Sequence, residues 1–103
     1  MSEQLTRDDF AKHLNTKFRV EAGAEQTLEM ELTEVSELRQ KPHTESFALI
    51  FQAPEGTAPD QRLYQMHHDA LGAQDIFLVP VSSGKKGIRF EAVFNRLINV
   101  EDD

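Results

Sequence analysis

The sequence predicts a mainly β domain: one short N-terminal helix followed by about six mostly antiparallel strands forming a small barrel or sandwich. Three observations predict it. Apolar and polar residues alternate at period two, most plainly in Leu28-Glu29-Met30-Glu31-Leu32. Turn-forming clusters punctuate the chain, the strongest being Pro54-Glu55-Gly56-Thr57-Ala58-Pro59-Asp60. Strand and helix patterns do not alternate, so a doubly wound parallel sheet is disfavoured. At 103 residues the chain has room for one domain, 1–103, with one core. It carries no internal repeat, linker or low-complexity tract.

The helix is signalled at its start. Thr6 is a good N-cap, and Asp9 follows three residues later, a capping-box variant with Asp in place of Glu or Gln. Leu5 and Phe10 have the spacing of a hydrophobic staple, Asp8 and Asp9 complement the helix dipole, and Phe10 and Leu14 share a face. The helix is expected to end near Asn15.

Strand signals fill the rest. Lys17 to Ala22 places Phe18 and Val20 on one face, and Gly23-Ala24 can turn the chain. Leu28, Met30 and Leu32 then alternate with glutamates. Val35 falls three residues beyond Leu32, so the strand ends, twists or bulges near Thr33-Glu34. Arg39 to Glu45 is polar, contains Pro42 and reads as a loop. Ser46 to Ala53 puts Phe47, Leu49 and Phe51 on one face, and Ala48 and Ile50 suggest cover on the other. Arg62 to His68 places Tyr64, Met66 and His68 together, and Leu71-Gly72 makes a turn. Asp75 to Val81 is nearly continuous apolar sequence, in which Pro80 marks an edge, a bulge or a strand end. Ser82 to Gly87 reads as a hairpin loop, and Ile88 to Ile98 is the last strand. Asn99 to Asp103 is an acidic tail.

Composition narrows the function classes. The absence of cysteine removes disulfides, thiolate catalysis and Cys-based metal sites, and fits a reducing compartment. Eighteen acidic and 11 basic residues give a net charge of −7, which repels nucleic acid and anionic membranes. The polar start Met1-Ser2-Glu3-Gln4 is no signal peptide, and no apolar run approaches the ~20 residues that span a bilayer. The expected location is cytoplasmic, or within an assembled particle reached without a cleavable signal.

Few residues suggest chemistry. His67-His68-Asp69 looks like a metal or acid–base cluster, but neighbours on a strand point to opposite faces, so the two histidines cannot chelate one ion. A metal site would need His13, His43 or a carboxylate brought in by the fold. His68 is expected instead to be a buried or half-buried histidine bonded to loop backbone. Glu29, Glu31, Glu34 and Glu37 read as a solvated face. Ser82 and Ser83 lack a nucleophile-elbow context, and Gly84-Lys85-Lys86-Gly87 is too short for a phosphate loop. That loop either keeps a hairpin soluble or offers a small basic contact. Arg96, between apolar neighbours, is expected to anchor a strand end by a forked contact with a carboxylate. No catalytic, cofactor or metal residue is assigned. Tyr64, His68 and Arg96 are the candidate ligand or partner contacts.

Four blocks carry a resemblance: Phe47 to Pro54, Tyr64 to His68 with Leu71-Gly72, Ile76 to Val81, and Phe90 to Leu97. From Leu5 to Ile98 the chain resembles a small bacterial domain family of unknown function, loosely associated with phage-tail-like or tail-collar-like proteins. The resemblance implies a structural or assembly role and no catalytic residues. Only His68 of the histidine pair falls at the pattern's histidine position.

The expected function is therefore a non-enzymatic interaction module, a subunit or assembly helper of a larger complex. The alternative is a small ligand-binding β-barrel with Tyr64, His68 and Arg96 near its mouth. A filled core favours the first and an apolar cavity the second. Partners are expected to be other protein chains, in a homo-oligomer or a mixed assembly, docking through the sheet. Surplus apolar surface on Ile76 to Val81 either meets such a partner or lies under the N-terminal helix.

Overall fold

The period-two segments become strands, and the strands close on themselves. The computed structural model describes residues 5–21 and 27–97. The polar N-terminus, the Gly23-Ala24 turn and the acidic tail lie outside the described residues. Within them are one helix, α1 (Arg7–Ala11), and seven strands: β1 (Lys17–Glu21), β2 (Thr27–Val35), β3 (Arg39–Gln40), β4 (Thr44–Gln52), β5 (Arg62–His68), β6 (Gly72–Gly84) and β7 (Gly87–Leu97). All pairings are antiparallel, in the order β2-β1-β5-β6-β7-β4, and β2 returns to pair with β4. Six strands thus form a closed barrel, with β3 attached to β4 alone.

Alternation decides what points inward. Phe18, Val20, Met30, Leu32, Leu49, Phe51, Met66, Leu78 and Phe90 are fully buried inside the ring. Small barrels fill their interiors with side chains in this way. Phe18 meets Phe51 edge-on at 5.2 Å, and Phe90 meets Tyr64 at 5.8 Å.

Two irregularities fall where the sequence placed them. The β2–β4 register shifts between Leu32 and Glu34, which restores Val35 to the inner side. The β6–β7 register shifts between Pro80 and Ser82, so Pro80 sits beside a bulge.

Other expectations need correction. The segment from Arg39 to Glu45 is a tight hairpin rather than a loop. Arg39 and Gln40 pair with Ser46 and Glu45, and Lys41 and Thr44 exchange backbone hydrogen bonds at 2.8 and 3.4 Å around Pro42. Backbone pairing to an existing strand needs no apolar alternation, so no strand signal marks this segment. The helix stops at Ala11, and a turn through Asn15, with φ 68°, leads into β1. Asn tolerates this left-handed conformation better than most residues. Leu14 consequently lies off the buried face and is exposed.

The capping box forms as its spacing requires. The Thr6 hydroxyl accepts from Asp9 N–H at 3.2 Å, and the Asp9 carboxylate accepts from Thr6 N–H at 2.8 Å. That backbone bond holds the Asp9 carboxyl below the usual carboxylate range. The helix closes one end of the barrel. Phe10 packs against Phe94 at 5.6 Å and Phe47 at 6.2 Å, and Phe47 stacks on Phe94 at 4.8 Å. The segment Pro54–Asp60 lies at the opposite end, beyond the last residue of β4.

Candidate functional site

The three candidate contacts do not converge. Tyr64 and His68 face inward from one strand, four residues apart, which at ~3.4 Å per residue is roughly 14 Å. His68 and Arg96 lie at the helix end of the barrel and Tyr64 toward the other. A single mouth lined by all three is therefore excluded by strand geometry.

His68 is a structural latch. The residue is only 9% exposed, and its ring packs on Phe18 at 4.5 Å and His13 at 4.8 Å. Its Nδ1 accepts from Ala70 N–H at 3.0 Å and Leu71 N–H at 3.3 Å, holding the turn that leads into β6. The remaining proton sits on Nε2, which donates to Thr16 Oγ1 at 2.9 Å. Thr16 in turn donates to the His13 carbonyl at 2.6 Å. Burial, and then the neighbouring His13 imidazole, push His68 below the usual histidine range. Both ring nitrogens are thus occupied by the fold: the bond to loop backbone is the one expected, and the bond to Thr16 was not foreseen. The approach of His13 was not legible, because it depends on how α1 crosses the barrel end.

His67 points the other way, toward Glu21 at 3.3 Å. No group of three or more His, Cys, Asp or Glu side chains able to hold a metal ion lies among the described residues.

Arg96 anchors its strand end by a different contact from the one expected. Its guanidinium lies over Phe47 at 5.2 Å and Phe94 at 5.3 Å. No carboxylate fork holds it among the described residues. The aromatic pair beneath it and, at longer range, the Asp9 carboxylate supply its electrostatic partners.

Tyr64 is buried, and burial raises its phenol above the ordinary value. Its hydroxyl donates to the Asp60 carbonyl at 2.7 Å, and the Arg62 guanidinium covers its ring at 4.9 Å. It borders an open groove of about 630 Å³ between the start of β2 and the segment Pro54–Asp60.

The surplus apolar surface expected on Ile76 to Val81 faces solvent together with Leu63 of β5. Leu63 and Phe77 are register partners on β5 and β6, and their side chains point outward, 57% and 48% exposed. Val81 on β6 is also exposed. The helix does not cover this face, because it caps the barrel end. The signal was present in the apolar residues at both parities of Ile76 to Val81, but which set would face out depended on the register with β5.

No helix of the described residues is long and apolar enough to cross a membrane. Neither curated proteins nor solved structures gave a match. One family does match, over residues 5–94, and the chain accordingly belongs to the family described as a domain of unknown function, DUF6916.

Proposed function

We propose that this domain is a non-enzymatic interaction module, a subunit or assembly helper of a larger protein complex, which docks through the outer face of β5 and β6. The observation that carries the reading is the Leu63–Phe77 pair. A barrel whose interior is already filled still presents two large apolar side chains side by side to solvent. Adjacent exposed apolar residues of this kind mark contact surfaces more often than isolated ones do. The polar candidates support the same reading, since Tyr64, His68 and Arg96 are each engaged in internal contacts.

The partner is another protein chain, in a homo-oligomer or a mixed assembly, and neither nucleic acid nor membrane. The net charge of −7 supports the last point. A cysteine-free chain fits a cytoplasmic home or an assembled particle. A phage-tail-like setting is the narrower form of this proposal and rests on the resemblance alone.

The experiment pairs light scattering with purification from the native host, for the natural chain and for Leu63→Lys and Phe77→Lys. Both variants should fold, and both should lose self-association or the co-purifying companion. A natural chain that stays monomeric without a companion, or variants that keep every contact, would refute the reading.

A further inference from the structure

The barrel wall has a gap, and its geometry points to a second docking mode. This inference rests on the reading of the domain as a protein-interaction module, and concerns a different surface from the β5–β6 face.

β2 is paired with β1 along Thr27–Glu31, but its pairing with β4 begins only at Glu31 opposite Gln52. The direction of each backbone group follows from its neighbours. Leu32 exchanges hydrogen bonds with Thr16 and Asn15 on the β1 side. Successive residues of a strand alternate sides, so Leu28 and Met30 also face β1. Thr27, Glu29 and Glu31 face the β4 side. Glu31 finds Gln52 there. Glu29 would need residue 54, and residue 54 is proline, which carries no N–H. The Pro54 carbonyl is already taken by Thr57, whose N–H and hydroxyl donate to it at 3.3 and 2.7 Å. Ala53 has turned to the other neighbour, donating to the Ile88 carbonyl at 2.8 Å. The N–H and C=O of Thr27 and Glu29 therefore face an open edge among the described residues.

Beside that edge lies the groove bordered by Leu28, Pro54–Ala58, Asp60, Arg62 and Tyr64. We infer that the open edge of β2 at Thr27–Met30 accepts an extended, basic segment of a partner protein, which continues the barrel wall where β4 stops. Edge strands serve as templates for strand addition in this way. Chemistry selects the segment. Cross-strand neighbours share a face, so the residue opposite Glu29 points outward beside its carboxylate, and a lysine or arginine suits it. Residues on either side of that one point inward toward Leu28 and Tyr64, where apolar side chains fit. Glu55 and Asp60 add negative charge at the rim, while Arg62 is engaged on the Tyr64 ring. The edge is short, and a strand of about four residues spans it at ~3.4 Å each.

The test uses the full chain and capped hexapeptides, with backbone amide NMR as the readout. A peptide of alternating lysine and valine should shift the Thr27–Met30 resonances, and its glutamate–valine counterpart should not. Glu29→Lys should weaken the lysine peptide roughly tenfold. Directionality gives a sharper check. In the antiparallel pairing that every strand of this barrel uses, lysines opposite Glu29 present their own amides to β2, so N-methylation at the lysines should abolish binding and N-methylation at the valines should leave it. No shift at Thr27–Met30 with any peptide would overturn the site, as would equal binding of the lysine and glutamate peptides or of the two methylated forms. If these fail while Leu63→Lys still releases the native companion, the strand site falls and the interaction module stands.

Discussion

His68 Nε2 and Thr16 Oγ1 lie 2.9 Å apart, joining the last residue of β5 to the residue that leads the chain into β1. The contact ties the turn after β5 to the helix end of the barrel through one neutral imidazole. Protonation would put a hydrogen on Nδ1, where two backbone N–H groups already point. The lowered folded-state value means that the unfolded chain binds more protons in the window between the two values. The stabilisation is fully present above the ordinary histidine value of 6.5, and is lost as pH falls from there toward the lowered folded value. His68→Gln, which does not titrate, should be less stable than the natural chain at about pH 8, with the gap narrowing toward about pH 5. Thermal melts across that range measure it, and a constant gap would rule out the latch as the source.

A five-residue helix does not hold itself together, so its docking and its cap should contribute unequally. Thr6→Ala removes the acceptor for Asp9 N–H and should cost about 1 kcal/mol. Phe10→Ala empties the space against Phe47 and Phe94 and should cost about 3–5 kcal/mol. Urea midpoints compare the two, and equal losses would mean that the cap rather than the packing secures the helix.

Gly87 opens β7 with φ 115°, in a region that side chains avoid. A Cβ there would run into the Ala53 carbonyl oxygen and come within 2.7 Å of the Pro54 carbonyl carbon. Gly87→Ala should therefore destabilise by on the order of 3 kcal/mol, from strain and overpacking together. Gly56, also at positive φ but with open space around it, should lose less on the same change. Denaturation of both variants tests the contrast.

Arg96 offers a test of what replaces a carboxylate. Arg96→Gln should cost about 0.5–1 kcal/mol if the guanidinium acts through the two rings. Salt should screen the part of the loss that comes from the Asp9 carboxylate and leave the part that comes from the partly desolvated ring contact. A loss that vanishes at high salt would indicate a surface charge partner instead.

Much of this architecture was legible in the residues, and the boundary of legibility has a physical cause. The change of parity between Leu32 and Val35 marks the β2 bulge because it moves the apolar set to the other face unless a residue is inserted. His68 shares parity with Tyr64 and Met66, which places it inside. These are local facts. Closure of β2 onto β4, the meeting of His13 with His68, and the separation of Tyr64 from Arg96 depend on which distant strands become neighbours. No local pattern encodes that choice. The open edge at Glu29 is a further step removed, since it depends on where β4 ends relative to β2.

The closed wall also has a consequence during synthesis. β7 stands between β4 and β6, and among the described residues it is the last of the seven strands to be made. Until it emerges, β4 has no partner for Thr44 to Gln52 on that side, and β6 has none beyond its pairing with β5. The ring therefore cannot close on the ribosome before β7 emerges. The nascent chain exposes two long unpaired edges until β7 arrives, and such edges are sites of misassembly. A ribosome-arrested chain ending before Gly87 should accordingly be bound by general chaperones, and one extended past Leu97 and clear of the exit tunnel should release them.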